Sequence, residues 1–186
     1  MKKIFFITGN KGKVQETTRK LLPLGYTVMQ KDLGYPEVQA DTLEEVAVWG
    51  ASHVQQRFDG CFIIEDAGLF IDALQGFPGV YSKYVFLTIG LEGILRLLEK
   101  VENRKAVFKS VYAYCEPGKK PLIVPGECEG TISTKKQGNH GFGYDPIFLP
   151  VGAEKTFGEM TVEEKNLYSH RGKALEKLTV MLREKD

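Results

Sequence analysis

The chain opens on a short apolar run, Ile4 to Ile7, that gives way at once to polar Thr8-Gly9-Asn10. That pattern predicts a buried strand ending in a turn. Beyond the turn, "KVQETTRKLL" places Val14, Leu21 and Leu22 at helical spacing, so a strand–loop–helix unit stands at the start. "YTVMQ" reads as a second strand, and "GYPEVQAD" after it as irregular. Thr42 and Glu45 then have capping-box spacing, which predicts a helix running to about Arg57. "CFIIEDAGLFID" reads as a strand whose apolar half ends abruptly in Glu65 and Asp66. "GFPGVYSKY" reads as a loop and "GLEGILRLLEKV" as an amphipathic helix.

The pattern changes in "KAVFKSVYAYCE", which alternates over a long stretch; "KPLIVPGECEGTIS" follows, with a hairpin expected near Pro117 and Gly118. Thr161 and Glu164 repeat the capping-box spacing, and "KALEKLTVMLREK" reads as a final helix. Neither repeats nor flexible linkers interrupt the chain. The expected fold class is α/β: a mixed sheet with flanking helices, one domain over residues 1–186, two lobes and a cleft between them.

Composition narrows the chemistry. At 186 residues the chain can bury a core, and 42% hydrophobic with 26% charged residues is ordinary for a soluble domain. Basic and acidic side chains number 25 and 24, a net charge of +1, so nucleic acid is not an expected partner. Cys61, Cys115 and Cys128 are far apart and include no C-x-x-C pair, which fits a reducing cytoplasm rather than a disulfide framework or a zinc site. The apolar run after Lys2 and Lys3 is too short for a signal peptide, and no segment is long enough to span a membrane.

Three stretches carry candidate chemistry. "TGNKGK" sits where a strand hands over to a helix, a place where free backbone N–H groups bind phosphate; Thr8, Gly9, Asn10, Lys11, Gly12 and Lys13 are the candidates. It is no Walker A motif, because Gly9 and Gly12 are too close and Val14 stands where Ser or Thr would hold magnesium. In "IIEDAG" two carboxylates leave an apolar strand, and a turn at Ala67–Gly68 would bring both to one edge. Such carboxylates need a cation or donors, and hard oxygens suit magnesium, with Glu37 a possible further ligand. "EEKNLYSHRGKA" crowds Lys165, Ser169, His170 and Arg171 ahead of the last helix, whereas His53 and His140 have no such company and read as structural or surface residues. Finally, "GFGYDP" brackets Phe142 between two glycines, with Tyr144 and Asp145 following, which suits a loop that brings its backbone close to a flat ligand.

Together these stretches resemble the inosine triphosphate pyrophosphatase family. "TGNKGK", "EDAGL", "GFPGVYS", "GFGYDP" and "EMTVEEKNLYSHRGKAL" match that family's motifs in order over nearly the whole chain. The resemblance implies a cytoplasmic, magnesium-dependent homodimer that cleaves the α–β bond of ITP, dITP or XTP to the monophosphate and pyrophosphate. It implies that Thr8 to Lys13 hold phosphates and that Glu37, Glu65 and Asp66 hold Mg2+, with Asp66 as ligand, water-activating base or both. It places Ala67 beside the substrate, Phe142 on the base with Gly143, Tyr144 and Asp145 around it, and Lys165, His170 and Arg171 as further nucleotide contacts.

Two positions depart from the family pattern. Ala67 stands where most members have Ser or Thr, and Gly50 aligns where many have a lysine. A Maf-type pyrophosphatase acting on pyrimidine or modified nucleotides is the nearest rival, opposed by "SHRGKA" and "GFGYDP". A non-catalytic nucleotide sensor is opposed by the intact Glu65–Asp66 pair.

Overall fold

The computed structural model describes residues 2–36 and 38–183. Seven strands form one mixed sheet: β1 (Lys2–Ile7), β2 (Tyr26–Lys31), β3 (Phe62–Ile71), β4 (Pro78–Gly79), β5 (Lys105–Cys115), β6 (Leu122–Ile132) and β7 (Phe148–Pro150), in the order β2-β1-β3-β5-β6-β7 with β4 against β3. β1 pairs parallel with β2 and β3, and the remaining pairings are antiparallel. Among the described residues six α-helices flank it: α1 (Lys11–Leu21), α2 (Leu43–Gln55), α3 (Ser82–Thr88), α4 (Gly90–Leu97), α5 (Val162–Tyr168) and α6 (His170–Arg183).

Local chemistry explains the boundaries. The Asn10 side chain caps α1 by accepting from the Lys13 backbone N–H at 3.1 Å. Thr42 with Glu45 and Thr161 with Glu164 form the two expected capping boxes at the starts of α2 and α5. The expected hairpin joins β5 to β6, with Gly118 in the left-handed region at φ 70°. α2 stops at Gln55, slightly before Arg57, and the expected loop after Gly76 turns helical at Ser82. The donor cluster straddles two helices: Lys165 belongs to α5, while His170 and Arg171 open α6.

The long strands β3, β5 and β6 run through two packed regions. At one end their two faces are covered separately: Ile63, Tyr112 and Val124 pack under α6, and Ile64, Val111 and Ala113 pack under α2. The other end meets α3, α4 and β7 in a second core around Leu69, Phe108, Phe148 and Phe157. Strands covered on both faces read as continuous apolar runs, which is why "FII" shows no alternation.

The turn expected at Ala67–Gly68 does not form. β3 continues through it, paired with β5 from Phe62 to Ile71, because a central strand keeps its ladder bonds where a partner is available. β1, however, pairs with β3 only at Phe62 and Ile63, and β4 only at Leu69 and Phe70. Residues 64–68 therefore have no strand on that edge among the described residues, and the cleft between the two packed regions opens there.

Candidate nucleotide site

A cavity of about 680 Å3 occupies the cleft. It gathers the phosphate turn (Thr8, Gly9, Asn10, Lys13), the strand segment Glu65–Gly68, the loop residues Phe142–Asp145, and His170 and Arg171 from α6. Glu65 and Asp66 both reach it although a regular strand turns them to opposite faces, because the cavity wraps the open edge of β3. Most of the expected site residues thus converge from four separate segments. Lys11 and Gly12 do not line it: Lys11 is exposed, and Gly12 packs against the Phe142 ring, where a Cβ would lie 2.4 Å from Cδ1. Glu37, an expected metal ligand, lies outside the described residues.

Beneath the cavity floor the charges close into a buried network. Lys165 Nζ is 2.6 Å from Glu16 Oε1 and 2.6 Å from Asp145 Oδ2. Arg171 donates from Nη1 to Glu16 at 2.6 Å and from Nε to Glu65 Oε1 at 2.9 Å. Lys13 Nζ sits 2.7 Å from Glu65 Oε2 and donates to the Glu65 main-chain oxygen at 3.0 Å, a carbonyl on the open strand edge. Three carboxylates therefore balance three cations with little solvent between them. Both Glu65 oxygens serve cations here, so Glu65 braces Lys13 against Arg171.

Burial pushes the Glu16 and Glu65 carboxyls up, but Arg171 first, then Lys165 and Lys13 respectively, outweigh it and hold both below the ordinary 4.5. Asp145 shares its lysine with Glu16, and burial raises its carboxyl above the ordinary 3.8. Glu16 escaped the sequence reading. Its signal was an acid one turn beyond Lys13, in line with buried Thr17 and Leu21 on the inner side of α1.

The loop over this network is shaped by the same Asp145. Its Oδ2 accepts from the Phe142 N–H at 2.8 Å, and Gly141, at φ 72°, comes so close that a Cβ there would lie 2.0 Å from that oxygen. The bond sets Phe142 with Lys165 Nζ 4.9 Å and Arg171 Cζ 5.2 Å from its ring centre. Tyr144, expected around the base, contributes to the cavity wall but is itself buried, its hydroxyl donating to the Ser82 carbonyl at 2.8 Å.

His170 lies at this end of the cavity, buried, with its ring stacked on Phe108 at 4.7 Å and 15°. Neither ring nitrogen has a hydrogen-bond partner. Burial, with Arg171 and Lys165 adding to it, depresses its pKa well below the ordinary 6.5, so it is a neutral imidazole at physiological pH. A buried side chain with an unused donor and an unused acceptor at a cavity wall is equipped to meet a ligand.

Asp66, Tyr35, Trp49 and Lys83 also line the cavity. Lys83, in the first turn of α3, also went unread, because a lysine inside a presumed loop carries no periodic signal. At Gly50 the Tyr35 ring and Ile64 fill the space, with a Cβ there 3.1 and 2.9 Å from their atoms. Among the described residues no group of three or more His, Cys, Asp or Glu side chains stands ready to hold a metal. Magnesium typically uses only one or two protein carboxylates and takes its other oxygens from phosphates and water, so Asp66 at the cavity fits that donor set.

Comparison with known proteins identifies the family. A sequence profile of the Ham1 family matches residues 4–181. The dITP/XTP pyrophosphatase of Thermococcus kodakarensis is 53% identical over 182 residues, covering 98% of each chain. That of Pyrococcus horikoshii is 56% identical over 173 residues, covering 93% of this chain and 92% of its own. The solved structure of a HAM1 protein from Coxiella burnetii superposes with a TM-score of 0.84 at 32% identity, covering 99% of this chain and 100% of that one. With the fold, the motif order and these matches over nearly its full length, the chain belongs to the Ham1 family.

Proposed function

We propose that this protein hydrolyses purine nucleoside triphosphates with a non-standard six-oxo base, dITP, ITP and XTP, to the monophosphate and pyrophosphate. The observation that carries the reading is His170: a neutral, buried imidazole with both nitrogens unpartnered, beside Arg171 in a cleft that Lys83 and Asp66 also line. Hypoxanthine and xanthine present an acceptor oxygen at the six-position, where adenine presents an amino donor. A guanidinium can only donate, and neither of the Arg171 bonds to Glu16 and Glu65 uses Nη2. Adenine therefore sets N–H against N–H and leaves buried donors unpaired, a loss that supports strong discrimination. The names carried by the Thermococcus and Pyrococcus relatives support the same substrate class.

The chemistry follows from the other residues that line the cleft. Phe142 offers a stacking face for the base, and the α1 N-terminus with Asn10, Lys13 and Lys83 receives the phosphates. Asp66 orients a water for attack at the α-phosphorus and accepts its proton, while pyrophosphate leaves with the β- and γ-phosphates. Magnesium, held by Asp66 and the phosphates, would neutralise charge on the triphosphate. The same reading includes a homodimer working in the cytoplasm; among the described residues no helix is long and apolar enough to cross a membrane.

Product identity tests the proposal. With dITP and magnesium the expected products are dIMP and pyrophosphate in equal amounts. Release of dIDP and orthophosphate would place cleavage at the γ-phosphate and overturn it, and unchanged dITP would leave only a binding protein.

A further inference from the structure

Tyr144 stands in the middle of the loop assigned to the base, yet its hydroxyl is spent elsewhere. It donates to the main-chain oxygen of Ser82, the first residue of α3, at 2.8 Å, and the bond is buried. Its ring meets Phe86, one turn further along α3, edge-on at 5.5 Å. Ser82 is itself fixed to the sheet, since its Oγ accepts from the Leu69 N–H at 2.8 Å and donates to the Gly79 carbonyl at 2.6 Å. The next residue, Lys83, reaches the cavity. On the other side Tyr144 is followed by Asp145, which accepts from Lys165 and from the Phe142 N–H. An unbroken set of short contacts thus joins the base loop to a cation that also lines the cleft.

We propose that Tyr144 is a positioning residue: through the Ser82 carbonyl it sets the start of α3, and so where Lys83 meets the phosphates. The inference rests on the nucleotide site proposed above. It gives Tyr144 a role toward the phosphates rather than toward the base that its place in the loop implies. A phenol that contacted the base would act on every nucleotide carrying that base, monophosphate included. One that acts through α3 affects only ligands long enough to reach Lys83.

Tyr144→Phe keeps the ring and removes the hydroxyl, so the core around it stays filled. The probe is inorganic tripolyphosphate with magnesium, titrated calorimetrically against the parent, Tyr144→Phe, Lys83→Ala and the double variant. The expected loss for Tyr144→Phe is about 3- to 10-fold in affinity, the scale of one hydrogen bond. Because the hydroxyl works through Lys83, the double variant should bind no more weakly than Lys83→Ala, within about twofold. The binding of dIMP should be unchanged by Tyr144→Phe. Unchanged tripolyphosphate affinity in Tyr144→Phe, even with a lowered denaturation midpoint, reduces the hydroxyl to a structural contact and overturns the proposal. So do losses that multiply in the double variant, a matching loss for dIMP, or a parent that does not bind tripolyphosphate. None of these readouts needs turnover, so a parent that failed to cleave dITP would sink the proposed activity while this coupling was still decided.

Discussion

Arg171 Nη1 lies 2.6 Å from Glu16 Oε2, joining the last helix to the first, both side chains only 3% exposed. Arg171 also holds Glu65, so it braces α1 and β3 against α6 as well as facing the cavity. Removing one partner of a buried pair leaves a charge without compensation, at a cost of about 3–5 kcal/mol. Arg171→Met is accordingly expected to lower the urea unfolding free energy by roughly that amount and to lose activity with it. A variant of parental stability would show that Glu16 and Glu65 do not depend on this arginine.

The same network sets the acid limit of the fold. Glu16 and Glu65 are held below 4.5 because cations outweigh the burial that would raise them, so each contributes stability that is present above 4.5 and lost as pH falls through the folded value. Asp145 has the opposite sign: burial raises it above 3.8, and its contribution is present below that value and lost as pH rises through the folded one. Two groups of the first kind against one of the second predict a steep loss of stability below pH 4.5. Urea midpoints measured across that range check it, and Glu16→Gln should make the fall shallower. An unchanged slope in the variant would remove Glu16 from the account.

Asp66→Asn is expected to keep the fold and the binding of dIMP while turnover of dITP drops by about 100-fold or more, the scale of a lost general base. An amide accepts no proton and is a poor magnesium ligand. Steady-state kinetics within about threefold of the parent would contradict the assignment.

Gly141 carries a loop-specific prediction. A methyl group there meets Asp145 Oδ2 at 2.0 Å and must be accommodated at φ 72°, so Gly141→Ala has to pull the loop off Asp145 and free the Phe142 N–H. The expected result is a fall of about 10-fold or more in kcat/KM for dITP, clearly larger than any loss in tripolyphosphate binding. Equal losses for both ligands would mean that the loop does not act on the base.

What the sequence made legible was whatever local chemistry decides. The capping boxes at Thr42 and Thr161, the hairpin at Gly118 and the turn after Ile7 all rest on residues within a few positions of each other. Most of the candidate site was legible too, because "TGNKGK", "EDAG", "GFGYDP" and "SHRG" bring their residues to one cavity. What stayed hidden was pairing over distance. Nothing near Glu16 announces Lys165 or Arg171, roughly 150 residues away. The strand passing straight through Ala67–Gly68 depends on β5 lying alongside, and the inward turn of Tyr144 depends on α3 being close enough to accept its hydroxyl.

The central claim is base-selective pyrophosphate release, and one measurement reaches it directly: kcat/KM for pyrophosphate formation from dITP, XTP and ITP against ATP, GTP and dUTP on the purified protein with magnesium. A site in which the donor-only Arg171 beside His170 demands a six-oxo acceptor predicts that dITP, XTP and ITP exceed ATP by at least about 100-fold, the cost of leaving buried donors unpaired. ATP cleaved within about threefold of dITP, or dUTP preferred over every purine, would contradict the account.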